Sequence, residues 1–492
     1  MANWRINIDN PSLGGLAPQA FHESYPSFGN KNQAGSMQNM DLTNPGYIDQ
    51  GPGWAILTNG DSNGVVTTLI KGIVDSTIAS NTTYGVGGTE LYKFSNTTVT
   101  SDGTWPHTID KAAVTGETGE DVAYYKGALY YSYNHSGSAG DIGKFDLSST
   151  FDDDWGSTTP TGAAALEDAL HPFANGGNDI LYFGNGRYVG DYDGTTFDPQ
   201  ALDLPEDASV YDIKWFNDKL WILANRPDLS IGSVNKVTGS IYVWDGVSSS
   251  WELEIPLIGG GGALHVYNGT MFVFYDNSSL APYGAGESHI GYINGSSIVD
   301  LGSVNGALPY YYQVTSYKGF ILWIPGNEFV YAWGSGGVGL PNRIFQYSEG
   351  SGSAILGGIA TPFLVPILAT NATNLSKISG VDTDCNWKSL IFDITGYSKE
   401  HSSIDGVRFN FESLGSGARV DWSLVDNAGR TIYSDTVSQV KGSAGNNQHS
   451  LTTAYFPLPG LNAENFRVEL NYSNGSTTQS VKIKRIMVYG TN

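Results

Sequence analysis

Short apolar runs rich in Val, Ile, Tyr, Phe and Trp recur along the chain, separated by Gly, Asn, Ser and Thr. This is the pattern of many short strands joined by turns. The only helical spacing predicts a short helix over Ala163 to His171. From about residue 65 to 355 one strand–turn–strand element repeats six times: Leu91-Tyr92-Lys93-Phe94-Ser95-Asn96, Ile142-Gly143-Lys144-Phe145-Asp146-Leu147, Tyr188-Val189-Gly190-Asp191-Tyr192-Asp193, Ile241-Tyr242-Val243-Trp244-Asp245-Gly246, Ile290-Gly291-Tyr292-Ile293-Asn294-Gly295 and Arg343-Ile344-Phe345-Gln346-Tyr347-Ser348. The copies end at 96, 147, 193, 246, 295 and 348, so the gaps are 51, 46, 53, 49 and 53. A second hairpin precedes most copies, as in Tyr125-Lys126-Gly127-Ala128, Phe216-Asn217-Asp218-Lys219, Tyr267-Asn268-Gly269-Thr270 and Tyr317-Lys318-Gly319-Phe320. Its turn residues accept the positive φ of tight hairpins.

Two hairpins per period make a four-stranded antiparallel unit whose two apolar faces cannot both be buried alone. Radial stacking buries both, so the pattern predicts an all-β chain with a six-bladed β-propeller over residues 65–380. A seventh blade, partly built from residues 50 to 64 or 356 to 380, is the alternative. The competing architecture is a large sandwich of unrelated hairpins. Residues 381–492 change to period-two strands such as Val407-Arg408-Phe409-Asn410-Phe411 and Phe466-Arg467-Val468-Glu469-Leu470, which predicts a separate, jelly-roll-like β-sandwich. Residues 1–64 are rich in Pro and Gly yet carry Trp4, Phe21, Tyr25, Phe28, Tyr47 and Trp54. They read as an extended N-terminal arm lying along another surface, such as a neighbouring copy.

Charge narrows the partners. Lys and Arg number 25 against 48 Asp and Glu, a net of 25 − 48 = −23. Without a cationic cluster, such a chain should repel nucleic-acid phosphates and anionic membranes. No run approaches the ~20 apolar residues of a membrane helix. The first twelve residues hold Arg5, Asp9 and Asn10 and no apolar h-region, so the expectation is a protein kept in the cytoplasm or freed by host lysis. The single cysteine, Cys385, excludes an intrachain disulfide and suits a reducing cytosol.

Catalytic chemistry finds little support. None of the eight His residues has zinc-ligand spacing, and no P-loop is present. Gly259-Gly260-Gly261-Gly262 reads as a flexible link between blades. For a glycosidase the carboxylates to weigh are Glu90, Glu252, Glu254, Glu287 and Glu328, with Asp191 and Asp193; the plainer reading is solvated strand edges. Asp152-Asp153-Asp154 and Asp382-Thr383-Asp384 read as acidic loops rather than Ca²⁺ sites. Ser101-Asp102-Gly103-Thr104-Trp105 approaches an Asp-box turn without its spacing, and Trp244-Asp245 is a lone WD dipeptide. The sequons at Asn81, Asn96, Asn268, Asn277 and Asn294 follow from Asn-rich turns.

The leading segment Asn10-Pro11-Ser12-Leu13-Gly14-Gly15-Leu16 and Tyr25-Pro26-Ser27-Phe28-Gly29-Asn30-Lys31-Asn32-Gln33, the propeller and the terminal sandwich together resemble the β-propeller structural proteins of tailed-bacteriophage virions, among them the tail-nozzle type. Nozzle proteins insert extra domains, whereas the sandwich here is terminal. The resemblance implies a non-enzymatic virion component with no catalytic, metal or cofactor site. It implies assembly into a tail ring, nozzle or tip through contacts with its own copies and other tail proteins. Host-surface glycans are a further expected partner; sequence-specific nucleic acid and stable membrane insertion are not. Two other classes stand beside it: a carbohydrate-binding propeller or glycoside hydrolase, and an intracellular interaction scaffold.

Overall fold

The computed structural model describes residues 3–9, 34–38, 40–42, 47–51, 53–59, 66, 68–74, 82–102, 104–110, 116–135, 138–227, 237–276, 287–327, 329–335, 343–348, 354–363, 366–370, 375–379, 385–394, 402–412, 418–438, 448–449, 452–472 and 481–491. The fold is a β-propeller joined to a β-sandwich.

Seven sheets follow one another in chain order. Their innermost strands are Gly72–Ile73, Glu117–Tyr125, Phe173–Asn175, Ser209–Phe216, Gly261–Tyr267, Val314–Tyr317 and Ile359–Ala360, each against the next. Gly358 N donates to Ile70 O at 3.0 Å and closes the seventh blade onto the first. The seventh blade takes Ile367–Ala369 and Leu375–Ile378 from late in the chain and Trp54–Ile56 from early in it. The blade count is therefore seven, and both expected stretches contribute. The two halves of that blade lie more than three hundred residues apart, which hid it from a search for a local repeat.

The repeat follows from turn chemistry. The first hairpin of four blades turns through two residues of positive φ: Lys126 (44°) and Gly127 (82°), Asn217 (50°) and Asp218 (56°), Asn268 (47°) and Gly269 (71°), Lys318 (47°) and Gly319 (83°). That geometry matches the twist of the strands it joins. The third strand ends in an acidic cap. Asp146, Asp193 and Asp245 each accept backbone N–H groups two and three residues on. The residue before each, Phe145, Tyr192 or Trp244, is buried between blades. Rings from adjacent blades interleave, as in Tyr125–Tyr192 (5.8 Å), Tyr182–Trp215 (5.7 Å) and Phe272–Trp333 (5.1 Å).

Two sequence expectations shift here. The sixth copy, Arg343–Ser348, is an outermost strand; the third-strand position belongs to Phe329–Gly334, whose Val330-Tyr331-Ala332-Trp333 has the same aromatic pattern. Residues 163–171 form no helix; the short helix is Trp155–Thr158. Pro160 and Gly162 (φ 89°) turn the chain, and Leu166 then bridges to Gly140, N to O at 3.0 Å.

The boundary expected at residue 64 is also replaced. Asn3–Asp9 pairs along its length with Ile483–Thr491, and Ala34–Gln38 pairs with Asn386–Ser389. The described strands of the expected arm thus pair within the chain itself: in the sandwich at Asn3–Asp9 and Ala34–Gln38, with each other at Met40–Asp41 and Asp49–Gln50, and in the propeller at Trp54–Ile56 and Thr58–Asn59. The alternation in Asn3-Trp4-Arg5-Ile6-Asn7-Ile8-Asp9 carries this pairing: Trp4 and Ile8 are buried, while Arg5 is exposed. Phe21, Tyr25 and Phe28 lie outside the described residues.

One sandwich sheet runs Asn3–Asp9, Ile483–Thr491, Ser403–Phe411, Thr453–Asn462, Gln448–His449. The other runs Ala34–Gln38, Asn386–Ser389, Asn465–Asn471, Arg419–Val425, Thr431–Ser438. They meet through Trp4 on Phe466 (6.3 Å) and Trp422 on Phe456 (4.8 Å). Their core continues through Met37 and Met40 into Phe345 and Tyr347 of the sixth blade. Gln346 Nε2 donates to Met37 O across that junction at 3.0 Å.

Candidate functional site

The propeller axis holds a cavity of about 450 Å³ to which all seven blades contribute. Asp121 lines its wall, and Asp212 stands behind the lining residue Lys214. Each follows an irregularity in the innermost strand of its blade, at Gly119/Asp121 and at Val210/Asp212. Such a bulge re-aims a side chain. Asp121 Oδ1 accepts Val122 N and its Oδ2 accepts Phe173 N, both at 2.8 Å. Asp212 Oδ1 accepts Ile213 N (2.8 Å) and Lys214 Nζ (2.6 Å), and its Oδ2 accepts Leu264 N (2.7 Å). Each carboxylate thus ties its own innermost strand to that of the next blade. Asp121 is enclosed by the wall though open to the cavity, and burial pushes its pKa up to about 7 against those two N–H donors. Burial raises Asp212 as well, opposed by Lys214.

Several other polar groups in and around the wall are paired as well. His265 Nε2 and Ser316 Oγ hydrogen-bond at 2.6 Å; burial, then the Lys214 charge, hold the imidazole neutral with a pKa lowered to about 3. Tyr311 OH donates to Glu120 O at 2.9 Å, and burial keeps that phenol protonated. Lys71 meets Glu120 Oε1 at 2.8 Å; burial still raises the Glu120 pKa. A group titrating near 7 can shuttle protons when an oxygen is free to do so. Here both oxygens of Asp121 are taken by backbone donors, so the wall reads as a set of struts.

The residues singled out from sequence do not converge on this cavity. Glu252 and Glu254 stand at the outermost strand of the fourth blade. Glu252 pairs with Lys219 at 2.5 Å, while Glu254 accepts from Ser240 Oγ (2.8 Å) and Tyr242 OH (3.2 Å). Glu90 accepts from Tyr92, and Glu287 from Ser303 Oγ at 2.9 Å. Burial, then Asp198 and Asp193, raise Asp191 to about 6, while Asp193 caps a turn. Glu328, Asp382 and Asp384 lie outside the described residues, as do Asn81 and Asn277. The three consecutive aspartates diverge. Asp152 accepts from Thr159 (2.8 Å), Asp153 meets His107 Nε2 (3.0 Å) and Tyr131, and Asp154 precedes the short helix. Asp102 accepts Thr104 N (2.7 Å) and Trp105 N (3.0 Å), a turn that buries Trp105. Cys385 is buried in the sandwich core.

The glycine run is no flexible link. Gly261 exchanges hydrogen bonds with the Asn225 amide, both at 2.8 Å, and a Cβ on Gly262 would stand 2.4 Å from Pro309 O. The run is small because the chain passes tightly between blades. Sequence reading missed Asp121 and Asp212. The signal was an Asp five places before a hairpin turn, since 126 − 121 = 217 − 212 = 5. Two copies among six made it easy to pass over.

No family model matches this chain, and no curated protein does. Solved structures resemble it distantly. A structure of YCF48 bound to D1 peptide is 12% identical with a TM-score of 0.44, covering 70% of this chain and 99% of its own. A structure of Drosophila semaphorin 1b, extracellular domains 1-2, is 9% identical with a TM-score of 0.40, covering 67% and 87%. A mitotic checkpoint complex chain is 13% identical with a TM-score of 0.44, covering 67% and 98%. At such identities and TM-scores the likenesses carry no inference about what this chain does.

Proposed function

We propose that the chain is a non-enzymatic structural protein of a tailed-phage virion, which acts by assembling with its own copies and with other tail proteins. The observation that carries this reading is how the chain is closed. Asn3–Asp9 is locked to Ile483–Thr491, Ala34–Gln38 to Asn386–Ser389 and Trp54–Ile56 to Leu375–Ile378. Three early strands thus belt the propeller to the sandwich, and one core runs through both. A body tied at both ends suits load-bearing in a particle, and two axial aspartates hydrogen-bonded from blade to blade suit a strut more than a catalyst. The described early strands pair within their own chain, so in this reading ring contacts fall to surfaces other than these strands. Mass spectrometry of purified particles, with imaging to place the propeller, tests the reading. The protein should be present in fixed copy number. Its absence from particles, or a glycan hydrolysis abolished by Glu252→Gln, would overturn it.

A further inference from the structure

The outer face of the second sandwich sheet carries a feature that a structural role leaves unused. Strand register sorts eight polar side chains into two rows. Asn386, Asn471, Asp421 and Thr436 lie directly opposite one another across four strands. Lys388, Glu469, Ser423 and Ser434 do the same one step along. Residues opposite in antiparallel pairs share a face. Between the rows, Trp387, Leu470 and Trp422 are buried in the core on the other side. A groove of about 720 Å³ runs over the rows.

The charges in this groove cancel locally. Arg419 meets Asp421 at 3.0 Å, and Lys388 meets Glu469 at 3.6 Å. Thr436 Oγ1 donates to Asp421 Oδ1 at 2.6 Å. Phosphate or sulfate recognition needs unpaired cations, and this face spends its cations on its own carboxylates. An apolar ligand would find no apolar floor. What remains is a dense array of directional donors and acceptors. Within it the Ser423 and Ser434 hydroxyls face each other and make no hydrogen bond to a described residue. Adjacent strands lie about 4.8 Å apart, close to the length of one pyranose unit. Consecutive sugars laid across the strands would therefore meet consecutive columns.

We propose that this face binds a short, linear, neutral oligosaccharide, one sugar per strand. The site goes beyond the structural reading and does not depend on the propeller. The test titrates the full chain with cellohexaose, laminarihexaose and mannohexaose by calorimetry, with a sulfated hexasaccharide alongside. One neutral hexasaccharide should bind with unit stoichiometry. Asp421→Ala and Glu469→Ala should each weaken it about tenfold or more, as for lost hydrogen bonds to charged groups. Should either variant fail to fold, the exposed Ser434→Ala and Asn471→Ala substitutions replace them, with a loss of at least about threefold expected. Glu252→Gln, on the propeller rim, should change nothing. Failure of all three neutral sugars to bind, preference for the sulfated one, or binding undiminished in the folded variants would overturn the proposal. A chain found in particles without sugar binding loses only this inference; sugar binding by a chain absent from particles loses only the structural one.

Discussion

Propeller and sandwich use the same materials, period-two strands with aromatic cores and Gly- or Asp-rich turns, yet differ in how far each strand's partner lies along the chain. In the second to sixth blades every strand pairs with its neighbour in sequence. In the sandwich Asn3 faces Thr491, a separation of 491 − 3 = 488 residues. Loop-closure entropy grows only with the logarithm of length, so closing this span rather than a ~50-residue one costs about 2 kcal/mol more. Burying Ile8 and Trp4 offsets that, at about 1.5–3 kcal/mol for a large apolar side chain. Distance along the chain is thus a small thermodynamic obstacle. What it changes is who holds whom: the second to sixth blades hold themselves, while the sandwich and the seventh blade hold early and late segments together.

The sharpest way to break that contrast is to strike the belt. Ile8 is fully buried between the sheets, beside strands from the far end of the chain. Ile8→Asp places an unpaired carboxylate there and should cost more than about 4 kcal/mol. Because the core cluster runs from Ile8 through the sandwich into the sixth blade, scanning calorimetry should show one transition moving down as a whole. A sandwich transition that falls while a separate propeller transition stays fixed would show that the shared core does not couple the two regions.

The axis offers a probe confined to the propeller. Asp121 has its pKa raised from 3.8 to about 7. Below about pH 4 the folded and unfolded chains both hold that proton; between there and about pH 7 only the folded chain does, so stability falls as pH rises. Three pK units at 1.36 kcal/mol each set a ceiling of about 4 kcal/mol. His265 works in the opposite sense. Its pKa falls from 6.5 to about 3, so its contribution is lost as pH falls below the unfolded value. The two slopes oppose each other on the acid side of neutrality. Asp121→Asn should therefore lose stability on acidification more steeply than the wild type, and its deficit should shrink from about pH 4 to about pH 7. Urea midpoints across that range measure it; a constant difference would mean that Asp121 stays ionised throughout.

The same contrast explains what could be read from sequence. Hairpins such as Tyr267-Asn268-Gly269-Thr270 are legible because turn and both strands lie within a few residues. The all-β class and the terminal sandwich were legible for the same reason. Trp54–Ile56 and Asn3–Asp9 were not, since their partners stand hundreds of residues away and their own stretches are broken by Pro and Gly. The axial wall was harder still. Asp121 and Asp212 look like solvated acids in a strand, and only the closure of the ring turns them into links between blades. The two polar rows of the sandwich were visible as alternating residues, but their alignment depends on a strand order that period two does not specify.

If the regions differ only in the reach of their pairings, their tight turns should cost the same to disturb. Gly269 (φ 71°) turns the first hairpin of the fifth blade, and Gly429 (φ 79°) turns the sandwich hairpin between Arg419–Val425 and Thr431–Ser438. A Cβ would meet no atom within 4 Å at either site, so neither substitution adds a clash. What remains is the conformational penalty of holding an L-residue at positive φ, about 1 kcal/mol. Gly262 would not serve, because its Cβ would run into Pro309 O. Gly269→Ala and Gly429→Ala should lower the denaturation midpoint by equal, small amounts, and the double variant by their sum, since the sites share no neighbours. A sandwich turn that proves markedly more costly would mean that this hairpin sets the strand order around it, and that the region's long-range pairings lean on local geometry after all.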